Sequence, residues 1–586
     1  MNKKNANDLE VLRHSASHVM AAAVLEMFPE AKFAIGPAVE NGFYYDFDLP
    51  RTLIPEDLEI IKEKMKKIIK ANHRFEKAEV SIDEALKDFK KAKQPYKVEL
   101  IKELEKAGEK KVSIYKSGKF VDLCSGPHLD STGEISADSL ELTKISGAYW
   151  RGDEKNKMLQ RIYGVAFKNK KDLNAYLEMM KEAEKRDHRK LGKELDLFCF
   201  SDLVGPGLPL FTPKGTVLIE ELKKEVESIC RKHGFEKVIT PHLAKIDLYK
   251  ISGHADKFSD ELFHVSSKHK QDYVMKPVQC PHQTQLYASK PRSYRELPIR
   301  YMESEKQYRA EKPGEISGLS RVIAITVEDG HSFCRVEQVK EEIKTMVKII
   351  KDFYTSLGLW DNHWVSLSVR DYEHPEKYIG ETRDWDLCEK MLQEISKEMD
   401  LKAQKREGEA ALYGPKLDFM FKDALGKEIQ IPTVQIDFAT PKRFELFYIN
   451  EKGEKVPPVM VHRAILGSYE RFLVLLIEHF AGVFPLWLSP VQVAILPISE
   501  KFDKYAKDVE TRLIASDIRV ELHNQSESLG KRIREVEKQK VPYILVVGEK
   551  EEKDNSVAVR PREGKQQVMK IEKFVEKIVK EIGEKK

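Results

Sequence analysis

Two arginine-bearing segments, a histidine pair and a Cys/His pair are where residue type and spacing in this chain amount to chemistry. Tyr308-Arg309-Ala310-Glu311 is followed by a turn containing Pro313-Gly314 and then by Arg321. β-type runs at 299–302 and 322–326 flank it, which predicts a hairpin presenting Arg and Glu from its arms. A planar guanidinium so placed can clamp an α-phosphate and stabilise charge during acyl transfer to phosphate. The second segment, 460–472, runs from a strand end through Gly467-Ser468 into a helix opened by Glu470 and Arg471, where an arginine can meet a γ-phosphate. Taken singly, the first also reads as a surface arginine and the second as an ordinary amphipathic helix start.

The two pairs lie near the N-terminus. His14 and His18 are four apart in a helix expected over 8–27, so they share a face. Cys124 and His128 close Cys-Ser-Gly-Pro-His, a turn just after Asp122. Three histidines and a cysteine can position water, hold an ester and pass a proton without a metal. The same HxxxH and CxxxH set also suits a tetrahedral zinc site, and plain core packing is the third reading. Lys531-Arg532-Ile533-Arg534, at the start of a late helix, can meet phosphates or form a solvated face.

These residues need a large scaffold, and the chain supplies one. At about 100–200 residues per domain, 586 residues suggest three or four domains. The 41% hydrophobic and 33% charged composition is that of a folded soluble protein. No apolar run approaches the roughly 20 residues of a membrane helix, and the N-terminus lacks the apolar core of a secretory signal, so a cytoplasmic location with no membrane partner is expected. The net charge of +4 neither requires nor excludes nucleic acid. Six cysteines show no CxxC pairing and no disulfide framework.

A mixed α/β region extends to about residue 167, and a Lys/Glu-rich connecting helix is expected over 171–194. Short strands and long amphipathic helices fill 198–488. After 489, strands expected at 491–498, 518–522, 543–547 and 557–560 alternate with helices at 500–515, 529–540 and 569–583, which predicts a small α/β domain with a largely parallel sheet.

The arginine segments resemble motifs 2 and 3 of the class II aminoacyl-tRNA synthetases, and Pro241, after the strand-like 237–239, resembles the motif 1 proline. Longer matches resemble the threonyl-tRNA synthetase family: Cys280-Pro281, Glu328-Asp329-Gly330-His331-Ser332-Phe333-Cys334, Val461-His462-Arg463-Ala464-Ile465-Leu466-Gly467, Tyr413-Gly414-Pro415-Lys416, Thr433-Val434-Gln435-Ile436-Asp437 and Arg186-Asp187-His188-Arg189. The resemblance runs from about residue 8 to the C-terminus. The small N-terminal ubiquitin-like (TGS) domain common in bacterial members has no counterpart in it.

The resemblance implies an α+β multidomain protein. Its expected parts are an editing domain (1–170), the connecting helix (171–197), an antiparallel-sheet catalytic core (198–488) and an α/β anticodon-binding domain (489–586). It implies ATP-dependent activation of L-threonine, transfer to tRNA(Thr), and hydrolysis of seryl-tRNA(Thr), by a homodimer formed around Pro241. One zinc ion per subunit would be held by Cys280, His331 and His462, and Mg²⁺ would accompany ATP. ATP contacts would come from Arg309, Glu311, Arg321, Gln430, Thr433 and Arg471, with Arg309 and Arg471 catalytic. Threonine contacts would come from Asp329, Tyr413, Lys416 and Gln435. Editing would use His14, His18, Lys97, Asp122, Cys124 and His128, and Glu551 and Arg560 would read anticodon bases.

The division of labour is chemically motivated. An apolar pocket separates threonine from isosteric valine by only about a hundredfold, whereas a metal that takes the hydroxyl leaves valine one contact short. Serine keeps that hydroxyl and lacks one methyl, worth about 1–3 kcal/mol, so a second, hydrolytic site is needed.

The sequence departs from the family pattern at Gln279, where Asn commonly precedes the zinc cysteine, and at Gln283, commonly His. Val327 replaces a common Gln, and Ser526 a common Asn. A hydrolase acting in trans and a non-catalytic RNA-binding regulator are the competing functions. Retention of both arginines and all three zinc ligands speaks against each.

Overall fold

The computed structural model describes residues 3–268, 272–423 and 426–585, and resolves into two compact units, Met1–Lys181 and Glu182–Lys586.

The first unit is built on the helix Lys3–Met27, whose Ala16, Val19, Met20, Ala23 and Val24 are buried. It packs on the strand Gly42–Asp48 in a five-stranded antiparallel sheet with Met158–Ala166 and Leu140–Tyr149. A second sheet, Glu76–Ser81, Lys111–Ser117 and Phe120–Leu123, carries the helices Ile82–Lys91 and Pro95–Lys106. Its last strand ends one residue before Cys124.

The second unit holds an eight-stranded sheet ordered Glu236–Lys237, Ile299–Tyr308, Ala324–Cys334, Val459–Ser468, Glu428–Asp437, Lys416–Lys422, Trp364–Val369, Gln404–Glu407. Only the two edge pairings are parallel. Strand alternation gives the sheet two different faces. Val461, Ile465, Val434, Ile436 and Leu417 enter the main core beneath the helices Pro213–Lys232, Val339–Ser356 and Tyr469–His479. The opposite face carries His331, His462, Gln435 and Lys416 in one row, for these residues pair directly from strand to strand. Two residues along, Asp329, Thr433 and Asp418 form a second row, joined through Ala464.

The expected connecting helix is two helices, Lys170–Arg186 and His188–Glu194. Asp187 ends the first and caps the second, its carboxylate accepting from Arg189 N at 2.8 Å. The late α/β region is a five-stranded sheet ordered Val520–Leu522, Val493–Pro497, Tyr543–Val547, Ser556–Pro561, Gln567–Lys570. Its first three strands are parallel and its last two antiparallel, so the expectation of a largely parallel sheet is corrected. The link after Val547 holds only the short helix Glu549–Lys553, too little for a parallel crossover.

Candidate functional site

On the open face of the large sheet, the helix Cys280–Ala288 packs through Tyr287, whose ring stacks on Phe333 at 4.7 Å. That contact brings Cys280, His331 and His462 together: their ligand atoms lie within 4.8 Å of one another and all three side chains are buried. The outer nitrogen of each imidazole is engaged. His331 Nδ1 lies 2.7 Å from Gln283 Oε1, and His462 Nε2 lies 3.0 Å from Asp437 Oδ2. The inner nitrogens, His331 Nε2 and His462 Nδ1, are buried with no hydrogen-bond partner among the described residues. Two bare imidazole nitrogens beside a thiol, each ring oriented from behind by an acceptor, is the donor set and outer support of a zinc site. The residues present fit the ion.

Further polar groups surround this cluster. Tyr413 stacks on His462 at 4.8 Å and donates to Gln435 Oε1 at 2.7 Å. Gln435 Nε2 donates to Thr433 Oγ1 at 3.3 Å, and Thr433 to Asp418 Oδ1 at 2.9 Å. Asp418 also takes Gln430 at 2.7 Å, Ser368 at 2.7 Å and Lys416 at 3.0 Å. One buried carboxylate therefore fixes Lys416, Gln430 and Thr433 directly and Gln435 through Thr433; sequence reasoning overlooked it. Asp329 lies 3.9 Å from His331 Nε2, and burial pushes its carboxyl up to about 7. His254, also overlooked, is buried in the field of His462 and Arg309, and burial lowers it to about 4.

The expected hairpin is present: Tyr308 pairs with Ala324, and Arg309 follows directly. Its Nε reaches the Pro277 carbonyl at 3.5 Å. Arg321 is held by Glu311 at 2.6 Å and Glu315 at 2.7 Å. Ser468 caps the helix Tyr469–His479 by accepting from Arg471 N, and the buried Glu470 locks that helix to the hairpin through Lys306 at 3.0 Å and Thr326 N at 2.8 Å. Arg471 thus faces Arg309 and Arg321. Burial, then the like charges of those two arginines, lowers its pKa. Arg321 is neutralised by its two glutamates, whereas Arg309 and Arg471 have no carboxylate partner among the described residues, so these two guanidiniums are the ones free to meet an anion.

In the first unit, a cavity of about 500 Å³ is lined by His14, His18, Lys97, Asp122 and Cys124. Lys97 pairs with Asp122 at 2.5 Å, and Asp122 also accepts from Tyr45 Oη at 2.6 Å and lies 3.5 Å from His18 Nε2. Cys124 Sγ is 3.3 Å from His14 Nε2 and 3.4 Å from His128 Nε2. His14 Nδ1 faces the Pro127 carbonyl, so it carries the ring hydrogen. Ser15 Oγ donates to Val11 O, which leaves His128 Nδ1 as the donor to that hydroxyl. Both Nε2 lone pairs therefore point at the cysteine. Burial lowers all three histidines, His128 to about 2 with help from His18 and His14, and pushes Cys124 up to about 11. The cysteine is then a thiol at neutral pH, a poor nucleophile, beside neutral imidazoles of which His14, the least lowered, is the strongest base. The four ligand atoms also lie within 4.8 Å of one another, as a metal site requires.

In the late domain Glu551 accepts from Gly548 N at 3.0 Å, and Arg560 pairs with Glu537 at 2.8 Å. Arg532 is buried and donates to the His523 and Pro497 carbonyls, so it braces strand ends, whereas Arg534 stays exposed.

Three family models match the chain: "tRNA synthetase class II core domain (G, H, P, S and T)" over 263–480, "Anticodon binding domain" over 492–581, and "Threonyl and Alanyl tRNA synthetase second additional domain" over 112–163. The Threonine--tRNA ligase of Gloeobacter violaceus is 47% identical over 567 residues, 96% of this chain and 90% of that protein. That of Cytophaga hutchinsonii is 45% identical over 574 residues, 97% of this chain and 88% of that protein. A solved RNA binding domain of threonyl-tRNA synthetase from Cryptosporidium parvum is 34% identical with a TM-score of 0.64, covering 67% of this chain and 98% of that one.

Proposed function

Because this chain belongs to the threonine--tRNA ligase family, we propose that its large-sheet face activates L-threonine with Mg²⁺-ATP and charges tRNA(Thr), while the first-unit cavity hydrolyses seryl-tRNA(Thr). The observation that carries this reading is the adjacency of the Cys280/His331/His462 cluster to Arg309, which in turn faces Arg471.

Cys280, His331 and His462 would hold zinc, which when bound supplies open positions for the amino and hydroxyl groups of threonine. Asp329 would accept the threonine hydroxyl hydrogen, and Tyr413 would sit by the amino group. The threonine carboxylate then attacks the α-phosphate of ATP, releasing pyrophosphate. Arg309 offsets the charge growing at the α-phosphate and Arg471 that at the γ-phosphate; Arg321, Glu311, Gln430 and Thr433 orient the nucleotide. A terminal ribose hydroxyl of the tRNA finally displaces AMP from the activated carbonyl. Catalysis comes from positioning and fixed charge, with no covalent protein intermediate.

In the first unit, a neutral His14 would take a proton from water attacking the seryl ester, His128 would hold the Cys124 thiol, and the Lys97–Asp122 pair would hold the substrate end. The domain limits follow the sequence expectation: editing 1–170, connector 171–197, catalysis 198–488 and anticodon binding 489–586, the last using Glu551 and Arg560. Exposed Ile239 and Leu243 flank Pro241, which supports a homodimer through that segment. No helix among the described residues is long and apolar enough to cross a membrane, in keeping with a cytoplasmic location.

Threonine-dependent exchange of pyrophosphate into ATP tests the reading. Exchange is expected with threonine and more weakly with serine; an enzyme inert with threonine would overturn it.

A further inference from the structure

Glu303 lies on the same sheet face as His331, one strand away and directly opposite Asp329. It is 1% exposed, and every contact to its carboxylate is a donor. The Thr240 backbone N–H lies at 2.6 Å, the Thr240 hydroxyl at 2.9 Å, the Gln283 amide nitrogen at 3.3 Å and the Lys276 ammonium at 3.6 Å. Lys276 also donates to Thr240 Oγ1 at 3.1 Å, which leaves the threonine hydrogen for Glu303.

A carboxylate only accepts, so only the NH₂ end of Gln283 can face it. That decides which way the amide points, an orientation that a side-chain amide has to take from its surroundings. Nε2 turns to Glu303, and Oε1 turns to His331 Nδ1 at 2.7 Å. Oε1 is acceptor-only as well, so Nδ1 must carry the ring hydrogen. His331 Nε2 is then left with its lone pair, bare, on the side of Cys280 and His462.

We propose that Gln283 is a positioning residue that relays the charge of Glu303 into the tautomer of His331, holding Nε2 free to bind a metal. The tautomer stands on geometry alone; only its consequence for affinity rests on the zinc reading above. An amide can replace the histidine common at this position because it too offers a donor at one end and an acceptor at the other.

The test uses the full chain labelled with ¹⁵N-histidine, stripped of metal, with His331 assigned by comparison with H331A. Long-range ¹H–¹⁵N correlation should show the Nδ1–H tautomer in the wild type and a mixture in Q283M, which keeps the side-chain volume without donor or acceptor. Zn²⁺ affinity, read by chelator competition, should fall about 10–100-fold in Q283M and largely recover in Q283H. An Nε2–H tautomer in the wild type would overturn the proposal whatever the variants do. So would a Q283M protein that keeps the wild-type tautomer. A wild type that binds no zinc, yet whose His331 changes tautomer in Q283M, would uphold the relay and remove the metal reading instead.

Discussion

His331 and His462 stand directly opposite each other on neighbouring strands, rings edge to face at 4.7 Å, each bonded behind and bare in front. Cross-strand pairing therefore sets two of the three residues proposed to hold zinc, and Cys280 needs only its helix to dock. About one zinc per chain is expected by elemental analysis, with metal and threonine activation both lost in C280S. A metal-free preparation with full activity would refute this. Two zincs per chain would instead make the His14/His18/Cys124/His128 cluster a metal site.

Arg309→Ala and Arg471→Ala should each lower pyrophosphate exchange by about 10²–10³-fold, the loss of about 2.7–4 kcal/mol typical of one charge-stabilising group. Thermal melting should be close to wild type, since neither guanidinium braces the core: among the described residues each reaches one backbone carbonyl, at 3.5 and 3.3 Å. Near-normal exchange in either variant would mean the anion site is misassigned.

The double variant His14→Ala, His18→Ala should activate threonine normally, because both residues lie in the first unit and the residues proposed for adenylation in the second. Deacylation of preformed seryl-tRNA should be lost, so that mischarged product accumulates. Equal hydrolysis by variant and wild type would reduce the cluster to a structural role.

The pH profile of that deacylation follows from the desolvated imidazoles. Burial lowers His14, His18 and His128, so each stays neutral below the ordinary histidine value of about 6.5, and His14, the least lowered, is the proton acceptor. The enzyme-dependent rate should show no histidine titration between pH 8 and about 6.5, with its acid limb further down. A limb centred at or above about 6.5 would place the working base elsewhere.

Sedimentation at micromolar concentration should find a dimer, and Ile239→Asp should shift it toward monomer, because Ile239 is 76% exposed beside Pro241. A wild type that sediments only as monomer would exclude the motif 1 contact.

What sequence alone revealed was what is local. Arg309 after a strand, Arg471 at a helix start and the HxxxH and CxxxH pairs are all spacing signals, and each lies where spacing put it. Cys280, His331 and His462 come from three distant segments, so only resemblance to a family joined them. Asp418 and Asp437 could not be singled out, because an acidic residue in a strand gives no hint of what lies across the sheet. The strand Gln567–Lys570 was hidden because its polar residues carry little β signal, and pairing with Ser556–Pro561 decided it.

The row formed by His331, His462, Gln435 and Lys416 also limits how such an enzyme can change. A one-residue insertion in any of these strands would send every later side chain of that strand to the opposite face. The ligand would vanish into the core, and an apolar residue would take its place before the substrate. Drift along these strands is therefore confined to replacement at fixed register, as at Val327, while gains and losses of length must accumulate in the loops between the strands.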